Sequence, residues 1–303
     1  MSLLAVLSAA VLSGGCSTTG SAPTSTSRVD RTPVQVPAPA PALRQLAVTM
    51  TQQALVDTTR PVTSDGRELA DQRALPTVVW TPTGPGPFPL VVFVHGFGKG
   101  PSDYQRFCSQ LASSGYVVAA PSFPLEDPAR GFPLDRSHLT EEAGDVSFVI
   151  TAIEGEPGGH IDDTRVAVVG HSDGADVALL VGYGTGTADP RVGAVVADAP
   201  DPMGETPAPS HVPLLLIQGT ADSVVPYSSS QTVFEQVDAP VFYLSLLGAD
   251  HLPPIAGGTP WTPVLDESTA AFLDATVAGR GPGDTALAGE LSSSPLVRFA
   301  SKE

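Results

Sequence analysis

The sequence predicts an α/β protein: one mostly parallel central sheet of about eight strands with helices on both of its faces. Two observations carry this expectation. Most of the strand-length apolar runs are unbroken Val, Leu, Ile and Ala rather than alternating apolar and polar, the pattern of strands covered on both sides. Between them lie stretches whose apolar residues recur at spacings of three and four, the period of a helix with one buried stripe. Parallel strands need crossover connections, and helices that supply them stack above and below the sheet.

In chain order, the runs read as strands are residues 49–56, 74–81, 90–94, 116–120, 165–169, 194–197, 214–218 and 241–246. One helical stripe is Tyr104, Phe107, Cys108 and Leu111, and another is Val146, Val149, Ile150 and Ile153. A third helical window covers residues 175–181. Cys108 falls on an apolar stripe, where a buried and inert thiol is expected. No internal repeat and no second folded domain is apparent, and a chain of 303 residues with 42% hydrophobic content suffices for one large core.

Composition excludes several classes of function. A net charge of −17 argues against a nucleic-acid partner, which would require a basic face. Two cysteines, Cys16 and Cys108, do not make a disulfide framework. Beyond the first sixteen residues there is no uncharged apolar run long enough to span a membrane.

The N-terminal segment reads differently from the rest. Residues 3–12 are a short apolar stretch, followed by Ser13, Gly14 and Gly15 before Cys16, which reads as an export signal. Residues 17–42 are Ser, Thr, Pro, Ala and Gly with few bulky apolar side chains. Such a segment cannot bury enough surface to offset its ordering entropy, and its Pro-rich end favours extended geometry. The expected organisation is a signal peptide over 1–15, a Pro/Ser/Thr-rich tether over 16–45 and a folded domain over 46–303. The first sixteen residues resemble a bacterial lipoprotein signal. The resemblance implies cleavage before Cys16, lipidation of its sulfur, and a cell-surface protein anchored to the membrane. The alternative is an ordinary cleaved signal and a secreted, soluble protein.

The chemistry is concentrated in a few short segments. Gly170-His171-Ser172-Asp173-Gly174 follows the apolar run Val166-Ala167-Val168-Val169 and precedes a helical window. A Gly-x-Ser-x-Gly motif at a strand-to-helix turn is a nucleophile elbow, in which flanking glycines make room for a sharp backbone turn that lifts the serine above the sheet. A serine hydroxyl needs an adjacent base, itself oriented by a third group. His251 lies late in the chain, just after the last predicted strand, and is the expected base. Asp222 follows the strand over 214–218 and gives the chain order Ser, Asp, His; Asp198, one strand earlier, is its rival for the acid. Donors to a developing oxyanion are expected from the backbone N–H groups of Phe97, in His95-Gly96-Phe97-Gly98, and of Asp173. The Asp173 carboxylate should then point away from the site, toward the positive helix N-terminus. His171 should pack beneath the nucleophile, and His138, His160 and His211 lie in polar loops.

These elements together resemble the α/β-hydrolase fold, in the dienelactone-hydrolase-like branch that includes bacterial cutinases, polyester hydrolases and plant chlorophyllases. The resemblance runs from about residue 49 to 278 and rests on residues 95–98, the elbow at Ser172, residues 219–226 around Asp222, and Asp250-His251. It implies a carboxylic-ester hydrolase working through an acyl-enzyme, with no cofactor and no metal. Dienelactone hydrolases proper carry a cysteine nucleophile, and Ser172 departs from that. The stretch over 198–213 is too short for a large lid, so an open site is expected, taking a small-molecule or polymeric ester; Phe97, Tyr104, Phe123 and Trp261 are candidates either for its wall or for the core. The chain is expected to act as a monomer. An acyltransferase or peptidase on the same fold, and a non-catalytic binding lipoprotein, are the alternative readings.

Overall fold

The computed structural model describes residues 44–155, 160–201, 207–238, 240–281, 288–289 and 291–302. Cys16, the signal segment and nearly all of the tether lie outside them. The described chain opens with β1 (Val48–Asp57), a small hairpin of β2 (Val62–Ser64) and β3 (Arg67–Ala70), and β4 (Arg73–Pro82). Then come β5 (Phe88–Val94), α1 (Gln105–Ser113), β6 (Val117–Pro121), α2 (Leu139–Glu154), β7 (Ile161–His171) and α3 (Asp173–Tyr183). The last part holds β8 (Val192–Asp198), β9 (Leu214–Gly219), α4 (Tyr227–Gln236), β10 (Val241–Leu246), α5 (Pro253–Ala256), α6 (Thr262–Thr276) and β11 (Val297–Lys302).

Nine strands form one sheet in the order β1-β4-β6-β5-β7-β8-β9-β10-β11. The six from β6 to β10 are parallel to their neighbours. The β1-β4, β4-β6 and β10-β11 pairs are antiparallel. This is the mostly parallel, helix-flanked sheet of the α/β-hydrolase fold. The sequence expectation of about eight strands misses β11, where exposed and half-buried residues alternate; an edge strand of that kind carries no continuous apolar run. Tyr104, placed on a helical stripe, ends a short 3₁₀ turn (Pro101–Tyr104) ahead of α1.

Why the central strands read as unbroken apolar runs is clear from their two faces. Along β5, Leu90, Val92 and Val94 enter one core, while Val91 and Phe93 enter the other. Along β7, Val166 and Val168 divide from Ala167 and Val169 in the same way. Side chains alternate across the sheet, so covering both faces demands an apolar residue at every position. Helices α2, α3 and α4 contribute to the first core, and α1, α5 and α6 to the second. The Cys108 thiol is buried in the second core, where desolvation pushes its pKa up.

One buried ion pair fastens α2 to the sheet. Arg73 on β4 is 2% exposed and donates to Asp145 on α2 through Nε at 2.7 Å and Nη2 at 2.5 Å. Arg60 adds a bond to the same carboxylate at 2.6 Å. Two parallel N–H donors on one carboxylate give this contact directional strength that a lysine could not supply.

Strand order sets the position of the site. From β5 the chain steps to β6 on one side, then returns to β7 on the other, so the carboxyl ends of β5 and β7 flank a topological switch point. Loops leaving neighbouring strands diverge there and open a crevice. No helix among the described residues is long and apolar enough to cross a membrane.

Candidate active site

Ser172 stands between β7 and α3 with φ 58° and ψ −129°, a conformation that L-residues rarely adopt. Neighbouring glycines make it attainable. A Cβ at Gly170 would collide with the carbonyl of Gly174, and one at Gly174 would collide with the carbonyl of Val94 at the end of β5. The turn is also tied down at both ends: Ser172 N–H donates to the Asp198 carbonyl at 2.9 Å, and the Ser172 carbonyl accepts from Ala175 N–H at 2.7 Å.

Asp222 and His251 are brought together by a close approach behind β9. Gly219 ends that strand against the backbone of Ala249, where a Cβ would not fit, and Ala221 N–H donates to the Ala249 carbonyl at 3.0 Å. Asp250 links the same two loops by accepting from Ser223 N–H at 2.9 Å and His251 N–H at 2.8 Å. His251 Nδ1 lies 2.8 Å from Asp222 Oδ2. The Asp222 side chain is fully buried, and it also accepts from Gln218 Nε2 at 2.7 Å, Val224 N–H at 2.9 Å and Val225 N–H at 2.8 Å. Asp198 does not reach the imidazole. Its carboxyl is buried, one oxygen has no hydrogen-bond partner among the described residues, and burial pushes its pKa well above the usual carboxylate range.

The loop after β5 approaches the elbow just as closely: a Cβ on Gly96 would lie 3.0 Å from Ser172 Cβ. Gly98 takes a left-handed φ of 68° and donates its N–H to the Glu126 carbonyl at 3.0 Å. Among the described residues, neither Phe97 N–H nor Asp173 N–H meets an acceptor within the protein, so both remain available to a substrate oxygen. A chain of bonds runs under the site. Gly96 N–H donates to Tyr104 Oη at 3.2 Å, Tyr104 Oη is 3.0 Å from His171 Nδ1, and His171 Nε2 is 3.2 Å from the His251 carbonyl. The order is self-consistent if Tyr104 donates to Nδ1 and His171 donates from Nε2. Burial, helped by the neighbouring His251, holds the His171 pKa down to about 3, which keeps that ring neutral. His95 is structural, its Nε2 accepting from Phe123 N–H at 3.2 Å.

Ser172, His251, Phe97 and Asp173 line one cavity of about 270 Å³, together with Gly96, Lys99, Tyr104, Arg136, His171, Asp201, Val224, Val225 and Leu252. It contains the candidate nucleophile, the candidate base and both candidate oxyanion donors. The arrangement is able to support attack by a serine oxygen on an electrophilic carbon.

The sequence model of the chlorophyllase family matches residues 49–217, more than half of the chain. The chain belongs to the chlorophyllase family. That family is of α/β-hydrolase-type esterases. Chlorophyllase-1, chloroplastic, of Citrus sinensis is 28% identical over 134 residues, which cover 42% of this chain and 40% of that protein. Chlorophyllase type 0 of Chenopodium album is 26% identical over 113 residues, 36% of this chain and 33% of that protein. The chain thus aligns with well under half the length of these relatives. The family match includes Ser172 and the loop at Phe97 but stops short of Asp222 and His251, so the placement of those two comes from the geometry above.

Within this family member, not every residue expected at the site is there. Phe97 and Tyr104 line the cavity, whereas Phe123 is buried in the core and Trp261 turns its Nε1–H to the Leu247 carbonyl at 3.0 Å. For these two, of the wall and core positions that the sequence left open, the structure has Phe123 in one core and Trp261 packed against the other. Asp173 is among the residues that line the cavity, and its carboxylate pairs with Arg136 Nε at 2.6 Å. Arg136, Lys99 and Asp201 were not foreseen. Arg136 comes from the loop between β6 and α2, more than thirty residues before the elbow, and no local motif marks it.

Proposed function

We propose that this chain is a serine carboxylic-ester hydrolase that works through an acyl-enzyme. The observation that carries the reading is the strained serine at the elbow, sharing a cavity with a histidine held by a fully buried carboxylate. In this reaction Ser172 Oγ attacks the ester carbonyl carbon as His251 Nε2 takes the hydroxyl proton, and the carbonyl π electrons move onto oxygen. Phe97 N–H and Asp173 N–H receive that oxyanion, and preorganised donors of this kind usually supply the largest single part of the rate enhancement. Collapse of the intermediate expels the alkoxide, which takes the proton from His251, and leaves the acyl group on Ser172. A water molecule, deprotonated by His251, then repeats the addition and releases the acid. Asp222 fixes the imidazole with its proton on Nδ1 and stabilises the imidazolium.

Phe97 and Val224, which line the cavity, are exposed to solvent, which suits esters too bulky to be enclosed. The names of the relatives support a large ester substrate of that type. Ser172→Ala should remove turnover of a p-nitrophenyl ester by a factor on the order of 10⁶ and abolish labelling by a fluorophosphonate probe, with circular dichroism unchanged. Esterase activity retained in that variant would sink the assignment.

We also propose that the protein is held at a membrane surface through Cys16. A single lipid chain binds only marginally, so firm anchoring needs the multiply acylated cysteine that a lipoprotein signal implies. Cys16→Ser should move the exported protein into the soluble fraction, and an unmodified Cys16 in the intact mass of membrane-purified protein refutes the anchor.

A further inference from the structure

We propose that Arg136 is a positioning residue that neutralises the Asp173 carboxylate, so that the N-terminus of α3 can accept an oxyanion; this rests on the serine-hydrolase reading above. The residue after the nucleophile is an awkward place for a negative charge. Asp173 N–H is one of the two candidate oxyanion donors, and the side chain of the same cavity-lining residue carries a carboxylate that is only 4% exposed and is paired with Arg136, another residue of the lining. An uncompensated carboxylate there would repel charge developing on the substrate oxygen, and at 4% exposure little water reaches it to screen that repulsion.

Arg136 meets this charge from across the crevice. Its Nε is 2.6 Å from Asp173 Oδ2, and its Nη2 is 3.0 Å from Asp201 and 3.6 Å from Asp176. Two independent features mark the arrangement as built. The guanidinium is presented by an anchored loop, because the neighbouring Asp135 accepts from Ser64 Oγ at 2.5 Å, from Ser137 N–H at 3.0 Å and contacts His138 Nε2 at 3.0 Å. The cations near the mouth are also few: Lys99 lies only 3.9 Å from Asp103, and no second arginine lines the cavity among the described residues. Burial pushes the pKa of Asp176 up to about 8 and raises those of Asp173 and Glu126, and Arg136 opposes the rise at all three.

The competing use of Arg136 is recognition of an anionic group on the substrate, since its side chain is 49% exposed. Its bonds to Asp173 and Asp201 argue against that use, because they already place two carboxylates on the face a substrate anion would need.

A double-mutant cycle on the full-length protein separates the two. With a neutral p-nitrophenyl ester, Arg136→Ala should lower kcat at least about tenfold and change KM less than about threefold. In an Asp173→Asn background the same substitution should cost less than about threefold relative to Asp173→Asn alone. Arg136→Lys should recover most of the loss. If Arg136→Ala loses its circular dichroism signature, Arg136→Gln takes its place in the cycle. An equal loss in both backgrounds overturns the proposal, as does a rise in KM confined to esters bearing a free acid. Failure of the wild-type protein to react with a fluorophosphonate at Ser172 would instead overturn the underlying serine-hydrolase reading.

Discussion

Replacing Asp222 by asparagine tests the least certain assignment of the sequence reading with one atom exchanged. The native carboxylate accepts four bonds: His251 Nδ1, Gln218 Nε2 and the N–H groups of Val224 and Val225. If the asparagine keeps its oxygen on the two backbone donors, its amide nitrogen faces Gln218 Nε2 and His251 Nδ1. His251 must then expose a bare Nδ1 and carry its proton on Nε2, the wrong tautomer to take a proton from Ser172. Charge centres about 4 Å apart at an effective dielectric near 20 interact by about 4 kcal/mol, on the order of 10³ in rate. Loss of the correct tautomer brings the total to about 10⁴ in kcat, with KM little changed. Asp198→Asn makes the control. Burial pushes the pKa of that carboxyl up, and the partner of His251 Nδ1 is Asp222 rather than Asp198, so its neutral isostere should cost less than about tenfold. Steady-state hydrolysis of a p-nitrophenyl ester, with folding checked by circular dichroism, reads both. A larger loss in Asp198→Asn would transfer the acid role, and small losses in both would refute the triad.

Two further expectations concern stability. Asp145→Ala leaves Arg73 buried without its carboxylate and should destabilise the protein by about 3–5 kcal/mol in urea titration, whereas replacing both residues by apolar ones of similar volume should cost much less. Among the described residues, neither carboxylate oxygen of Glu126 has a hydrogen-bond partner, and burial together with nearby Asp173 raises its pKa. A raised folded-state pKa contributes stability that is fully present below about pH 4.5 and is lost as pH rises through the folded value. The urea midpoint should therefore fall between pH 5 and pH 9, and Glu126→Gln should flatten that fall and add roughly 1–2 kcal/mol at pH 9; a variant that tracks the wild-type curve refutes the role of Glu126.

The central strands, the helices α1, α2 and α3 and the elbow were legible because each leaves a local trace, whereas α4, α5 and α6 were not foreseen. Unbroken apolar runs mark strands covered on both faces, and two glycines around a serine mark a turn that tolerates no side chains there. Chain order alone left Asp222 and Asp198 open, because both come at or just after the ends of apolar strands and before His251; the bond to His251 is a tertiary fact, set by loops that meet over Gly219. Arg136 left no trace, since its position depends on how the β6–α2 loop folds back over the site. Phe123 and Trp261 stayed open between wall and core because their sequence positions lie near the site, while the direction of their side chains is fixed by neighbours far along the chain.

The strand β11 has a consequence for handling the protein. Without it, β10 would present Val241-Phe242-Tyr243-Leu244-Ser245-Leu246 as an open sheet edge, six residues that are buried in the intact protein. Edges of this composition pair with one another across molecules. The covering strand ends the ladder with Arg298 and Lys302, and Lys302 Nζ lies 5.4 Å from the ring centre of Phe234. Truncation before residue 297 should thus show itself first as insolubility during expression and storage, with the catalytic centre untouched, and a tag or fusion placed at that end should be judged by aggregation rather than by activity.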